Sequence, residues 1–209
     1  LNSFHPRSGA APEKSVIGVG GMGTGHLAYP GARLLAVCDV DEQHLKQAVE
    51  KGGEGVKGYR NFREVLDRND IDIVHIATPP HWHGLISIAA AEAGKDIWCE
   101  KPMTRTIGEG EKVVEAVQRN GRIFRINTWF RLTGGFYGFG TDVKPIKQLC
   151  MSGLLGWPLT VRVGPHSGFD LKLGWSGQIN QKPETVPPGF DYDLWLGPDE
   201  SERFLRING

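Results

Sequence analysis

Between residues 16 and 127, short apolar runs alternate with stretches in which apolar positions recur every three or four residues. Val16 to Val19, Leu34 to Cys38, Ile71 to Ala77, Asp96 to Cys99 and Arg122 to Asn127 predict five strands. The segments between them predict helices. Asp41 opens one that carries Leu45, Ala48 and Val49 on one face and closes at Gly52, and Asn61 with Glu64 reads as an N-cap and its box partner. Leu85, Ile86, Ile88, Ala89 and Ala93 predict an apolar helix face with Gly94 just past its end. Thr106 and Glu109 form a second capping box before Val113, Val114 and Val117, with Gly121 as the stop. Strands that are apolar on both faces and alternate with helices predict an α/β fold, a doubly wound parallel sheet covered on both sides.

The 29 glycines and 13 prolines concentrate in the second part, where about a quarter of residues 132–209 are one or the other. The chain therefore divides into an arm at 1–14, an α/β domain at 15–131, and the start of a second domain at 132–209. In that last part Leu159 to Val163 predicts a strand and Asp191 to Leu196 a compact aromatic stretch. Equal numbers of basic and acidic residues, 24 of each, without a basic block, argue against a nucleic-acid partner. The longest apolar run, Leu85 to Ala91, falls far short of the roughly 18 residues of a membrane span. Three cysteines without ligand spacing give neither a disulfide framework nor a metal site. A small molecule becomes the expected ligand. Leu1 to Lys14 has no intact signal peptide, although a removed one is compatible with the sequence.

Gly18, Gly20 and Gly23 spell G-x-G-x-x-G directly after the first predicted strand, where missing side chains let backbone N–H groups approach a pyrophosphate at a helix N-terminus. Asp39, at the end of the second strand, is placed to accept both hydroxyls of an adenosine ribose and to repel a 2′-phosphate, favouring NAD over NADP. Three glycines in a tight turn and an acid capping the next helix are the plain alternative. The acid follows Gly23 sooner than the roughly 20 residues expected. Because Tyr29-Pro30-Gly31 cannot continue a helix, little more than His26 to Ala28 remains for the first one. Either the crossover is trimmed or residues are absent.

The most specific constellation is Ala77-Thr78-Pro79-Pro80-His81-Trp82-His83, followed by Cys99-Glu100-Lys101-Pro102. With the glycine turn, these motifs make residues 18–131 resemble the Gfo/Idh/MocA oxidoreductases. Gly153-Leu154-Leu155-Gly156 and Asp191-Tyr192-Asp193-Leu194-Trp195-Leu196-Gly197-Pro198 resemble the opening of that family's C-terminal α+β substrate domain, closest to its secreted bacterial branch. The resemblance implies a Rossmann-type domain that binds NAD. Gly18, Gly20, Met22 and Gly23 would lie at the pyrophosphate and Asp39 at the adenosine ribose. Thr78, Pro80 and His83 would line the cofactor, Glu100 and Lys101 would flank the nicotinamide ribose, and Asn127 would lie near the nicotinamide. Lys101 would be catalytic, its ammonium stabilising alkoxide character on a substrate hydroxyl, with Pro102, often in a cis peptide in this family, aiming it. A solvated surface lysine is the alternative.

A loop histidine is more often a cap than a catalyst, so His81 reads equally as a helix cap, and His75, inside a strand, as a packed residue. Trp98 reads as core. His166 and Asp170 could reach substrate from the second domain. The family's other catalytic group, a His or Asp in a D-x-G-x-H-like segment, lies beyond Gly209, so activity of these 209 residues alone is not expected.

The implied activity is NAD-dependent oxidation of a sugar or polyol CH–OH, without nucleic acid or membrane, in a homo-oligomer when the second domain is complete. The alternatives are a glycosidase-type oxidation, elimination and reduction with held NAD, which the presence of Lys101 opposes, and a non-catalytic nucleotide-binding remnant. The segment Ala10-Ala11-Pro12-Glu13-Lys14 resembles the start of exported relatives, implying a periplasmic or secreted protein, with the cytoplasm as the alternative.

Overall fold

The computed structural model describes residues 11–128, 143–158, 160 and 184–197. Six strands, β1 (Glu13–Ile17), β2 (Arg33–Cys38), β3 (Lys57–Tyr59), β4 (Ile73–Ile76), β5 (Asp96–Cys99) and β6 (Phe124–Ile126), form one sheet in the order β3-β2-β1-β4-β5-β6, and every pairing is parallel. This is a doubly wound Rossmann-type α/β fold. The connecting helices are α1 (Gly21–His26), α2 (Glu42–Gly52), α3 (Phe62–Leu66), α4 (Pro80–Glu92) and α5 (Ile107–Arg119), followed by α6 (Val143–Met151) and α7 (Tyr192–Leu196). The chain separates into two compact units, Leu1–Asn127 with Thr185–Phe204, and Thr128–Glu184 with Leu205–Gly209. The first unit thus contains α7, and the second contains α6.

Successive side chains of a strand point to opposite faces, and both faces of this sheet are buried. Ile17, Ala36, Cys38, Val74, Ile76, Ile97 and Cys99 pack with Phe62, Trp82, Ile86, Ala90 and Ala116 of α3, α4 and α5. On the opposite face Val16 and Val37 pack with Leu27, Ala48 and Val56. Asp41 caps α2 by accepting from the Gln43 and His44 amides, and Asn61 caps α3 by accepting from the Arg63 amide. Thr106 and Glu109 form the complete reciprocal box on α5.

Three details depart from the sequence pattern. Strand β3 has no apolar run to announce it, since Lys57-Gly58-Tyr59 pairs along Ala36–Cys38 through its backbone. The buried side of α4 is made by Trp82, His83, Gly84, Ile86, Ser87, Ala90 and Ala91, while Leu85 and Ala93 are exposed, because α4 packs on the sheet and on α5 at once. Val114 of α5 is likewise exposed. The strand expected at Leu159 to Val163 falls, apart from Thr160, outside the described residues.

The first helix occupies Gly21–His26 within the glycine turn itself, rather than the residues after it. Thr24 closes it by donating its hydroxyl to the carbonyls of Val19 and Gly20. So short a crossover leaves part of the sheet face to other side chains. Lys14 of β1 takes the space, 1% exposed, with Nζ donating to His26 O at 3.0 Å and Tyr29 O at 2.8 Å. Burial pulls its ammonium down to about 8. The lysine therefore ties the end of the trimmed crossover to the central strand.

Lys14→Met keeps the stem and removes both hydrogen bonds, leaving the part-buried Tyr29 carbonyl without the ammonium and the His26 carbonyl with the Tyr29 amide as its remaining donor. A loss of roughly 1–3 kcal/mol is expected, read as a lower urea midpoint at unchanged m-value; an unchanged midpoint would show that Lys14 does not hold the crossover.

Candidate functional site

Parallel strands bring their carboxyl ends to one edge, and the chain reverses its winding on either side of β1. Along that edge stand Gly18 after β1, Asp39 after β2, Thr78 after β4, Glu100 and Lys101 after β5, and Asn127 after β6. A cleft of about 320 Å³ opens there between the β2 and β4 ends, within the size range of small-molecule sites. Gly18, Gly20, Met22, Asp39 and Thr78 line it, five of the residues expected from sequence.

The glycine turn is shaped by contact. Gly18 has φ +82°, and a Cβ there would meet the Ala77 carbonyl carbon at 2.7 Å; a Cβ on Gly23 would lie 1.7 Å from Gly18 O. Gly23 is therefore the buried support of the turn and not part of the cleft surface. Gly20, by contrast, has only the His44 ring at 3.6 Å from a built Cβ. Asp39 Oδ2 accepts from the Val19 amide at 2.7 Å and Oδ1 from the Asp41 amide at 3.0 Å, so the carboxylate is fixed to both lips of the β1–β2 end. The Thr78 hydroxyl, also on the cleft, is buried without a hydrogen-bond partner among the described residues.

Other expected residues are placed differently. Pro79, not Pro80, lines the cleft; Pro80 is exposed at the start of α4. His83 is 1% exposed, with Nδ1 at 2.6 Å from Pro102 O and Nε2 at 2.8 Å from Thr78 O. Its ring nitrogens join the β4 end to the turn after β5. His81 reaches Trp195 O rather than capping α4, at 2.8 Å. Lys101 is exposed at the sheet edge, and its bond to Pro102 is cis. His166 and Asp170 lie outside the described residues.

Glu100 is 4% exposed and engaged by the protein. Oε1 accepts from His26 Nε2 at 2.9 Å and from Asn127 Nδ2 at 2.6 Å, and Oε2 accepts from the Lys101 amide at 3.2 Å. Burial opposes its charge, but these donors prevail and hold the carboxyl below its ordinary range. The carboxylate so links α1, the Lys101 turn and the end of β6. His26 continues the network, its Nδ1 lying 3.2 Å from His75 Nδ1, and the His75 ring stacks on Trp98. Asn127 keeps a buried Oδ1 with no partner among the described residues. Sequence reasoning placed His75 correctly as packed but missed His26, whose only signal is its position at the end of the glycine turn.

Beyond the sequence's candidates, the cleft adds Arg60, Phe62, Trp82, Phe190, Leu194 and Trp195. Cys38 also borders it, its thiol pushed up by burial and so not poised as a nucleophile. No cluster of His, Cys, Asp and Glu among the described residues is arranged for a metal ion, and no helix among them is long and apolar enough to cross a membrane.

Residues 14–128 match the family described as oxidoreductases with an NAD-binding Rossmann fold, and residues 139–207 match its C-terminal alpha/beta domain. The chain is 29% identical over 157 residues to an inositol 2-dehydrogenase of Salmonella typhimurium, covering 72% of this chain and 44% of that protein. A glycosyl hydrolase family 109 protein of Shewanella pealeana is 32% identical over 115 residues, or 49% of this chain and 25% of that one. The WlbA dehydrogenase of Chromobacterium violaceum, solved with NADH and UDP-GlcNAcA, aligns with a TM-score of 0.65 at 25% identity, over 75% of this chain and 44% of that one. The chain thus spans less than half the length of these relatives.

Burial lowers the His75 imidazole from about 6.5 to about 3, with Lys14 and His26 adding to the effect. Between those values the unfolded chain binds a proton that the folded one refuses, so stability falls as pH falls through this window. Relative to His75→Phe, the parent should lose about 1.4 kcal/mol per pH unit between pH 6 and 4.5, measured by urea unfolding; parallel profiles would show that His75 is not held neutral.

Proposed function

Because the chain belongs to the Gfo/Idh/MocA family of NAD-binding oxidoreductases, we propose that it binds NAD in the cleft at the β1 switch point and serves the oxidation of a sugar or polyol CH–OH group. The single observation that carries this reading is the juxtaposition of Gly18, Asp39 and Thr78 on one cleft. The residues present fit a dinucleotide. Gly18 and Gly23 keep the turn tight where any Cβ would strike backbone, Gly20 brings a side-chain-free backbone to the cleft, the Thr78 hydroxyl is buried without a partner among the described residues, and Asp39 is fixed at the end of β2. Gly20 and Met22 would hold the pyrophosphate and Asp39 the adenosine ribose, while Asn127 Oδ1 and Lys101 would serve the nicotinamide end. Bound there, the nicotinamide supplies the hydride acceptor.

The chain's own part is to hold charge and exclude alternatives. The Asp39 carboxylate retains lone pairs after accepting from Val19 and Asp41, so it can accept ribose hydroxyls and repel a 2′-phosphate. Lys101 offers an exposed ammonium to stabilise negative charge developing on the substrate oxygen. Glu100, through the Lys101 amide, holds that turn to His26 and Asn127. Inositol dehydrogenase and UDP-sugar dehydrogenase relatives support a polyhydroxylated substrate. Likeness to a family 109 glycosyl hydrolase supports a second reading, in which the same oxidation is transient and a glycosidic substituent is eliminated. Sugars, polyols and glycosides assayed side by side separate the two: net NADH formation follows from the first, glycoside cleavage without net NADH from the second.

The chain should bind NAD at least about tenfold more tightly than NADP, and Asp39→Ser should narrow that gap by restoring NADP affinity. Calorimetric titration of both dinucleotides decides this, and equal affinities in the parent would remove Asp39 from the role.

In the full-length gene product, Lys101→Met should leave NAD affinity within a few fold and lower turnover by about 10² or more, since the ammonium acts on charge that develops only during reaction. Steady-state rates across a sugar and polyol panel test it; unchanged turnover would show that Lys101 is a solvated surface residue.

A further inference from the structure

The cleft has a roof that none of the dinucleotide-binding motifs provides. Residues 185–197 return to the first compact unit and cross the cleft mouth from one lip to the other. On the β2 side, Asp41 and Phe190 form an antiparallel bridge, the Glu42 amide donates to Gly189 O at 3.0 Å, and the Asp191 amide donates to Val40 O at 3.0 Å. On the α4 side, Trp82 Nε1 donates to Trp195 O at 3.0 Å, and His81 Nε2 lies 2.8 Å from the same oxygen. The crossing is close-packed, since a Cβ on Gly197 would sit 2.4 Å from the Trp82 ring. Within it, α7 is capped by Asp191, whose Oδ1 accepts from the Leu194 amide.

Between those two anchor points, Phe190, Leu194 and Trp195 line the cleft together with Phe62 and Trp82. Trp195 is 36% exposed although its backbone is pinned, and its ring stacks on Tyr192 with ring planes 18° apart. An aromatic side chain that lines the cleft while its main chain is held suits a flat, weakly polar partner. Directly beneath lie Asp39 and Asp41, at the strand end where an adenosine ribose would sit. A purine fits this chemistry: its ring stacks between aromatic faces, and its edge meets backbone polar groups.

We propose that residues 189–195 complete an adenine-binding subsite, with Trp195 and Phe190 as its stacking roof and Trp82 as the wall that fixes the roof. This inference rests on the reading of the cleft as an NAD site and assigns a binding role to a segment of the chain outside the nucleotide-binding domain. It makes cofactor affinity depend on the second half of the sequence. It also gives His81 and Trp82 a definite task, holding Trp195 O.

The test titrates the 209-residue chain and its Trp195→Ala, Trp195→Phe, Trp195→Leu and Phe190→Ala variants with NAD and with AMP, which carries the adenine but no nicotinamide. Circular dichroism and a thermal melt verify the fold of each. Trp195→Ala and Phe190→Ala should weaken NAD and AMP in parallel, by about tenfold or more, while Trp195→Phe, which keeps a stacking plane, should recover most of the affinity. Unchanged affinity in the alanine variants would overturn the roof while leaving the NAD reading intact. Weakening of NAD but not of AMP would also overturn it, because the segment would then touch some part other than adenine. Loss of fold in Trp195→Ala, with Trp195→Phe folded but binding AMP no better than Trp195→Leu, would show a packing role only and reject the proposal. If the parent chain binds neither ligand, the NAD reading itself falls, and this inference with it.

Discussion

The carboxyl edge of the sheet depends on how closely two backbone segments approach at the glycine turn. Gly23 passes so near Gly18 O that not even a methyl group fits, and Gly18 in turn lies against the Ala77 carbonyl at the end of β4. Because the turn is that tight, α1 can begin at Gly21 and the Val19 amide can reach Asp39 Oδ2. The cleft is the space left over when β1, β2 and β4 end together around this contact. Side chains at Gly18 or Gly23 would push the β1 and β4 ends apart, and the Asp39 carboxylate would lose its fixed place.

The short crossover that follows has an electrostatic consequence. A longer helix would cover the sheet face with apolar side chains, but here Lys14, His26, His75 and Trp98 fill it, and Glu100 and Asn127 join the network at its edge. Buried polar networks of this kind are costly unless their members are paired, and here Lys14, His26 and Glu100 are paired while the Trp98 indole N–H has no hydrogen-bond partner among the described residues. Two acceptors at the carboxyl edge do not complete their bonding within the described residues, the Thr78 hydroxyl and Asn127 Oδ1. They stand on the same edge as Asp39 and Lys101, which is where a ligand's donors would be met.

Much of this was legible in the sequence, for identifiable reasons. Parallel strands buried on both faces advertise themselves as apolar runs, so β2, β4 and β5 are found within two residues of their predicted places. The capping box at Thr106 and Glu109 is local chemistry and reads directly. Strand β3 is three residues long with Tyr59 as its one apolar side chain on the core, too little to leave an apolar run in the sequence. For the site, Gly18, Gly20, Met22, Asp39 and Thr78 were predictable because they follow strand ends in order. The partners of Glu100 and His83 were not legible, because the His26 and Asn127 side chains that engage one and the Thr78 and Pro102 carbonyls that engage the other meet them only through tertiary folding. The roof from Phe190 to Trp195 was invisible for the same reason: its contacts span more than a hundred residues of sequence.

Occupancy of the cleft at the β1 switch point by NAD is tested by amide hydrogen exchange of the chain with and without saturating NAD. Exchange should slow in peptides covering residues 18–24, 38–44 and 77–82, and remain unchanged in β3 and in the carboxyl half of α5. Protection confined to other segments, or none at saturating NAD, would contradict it.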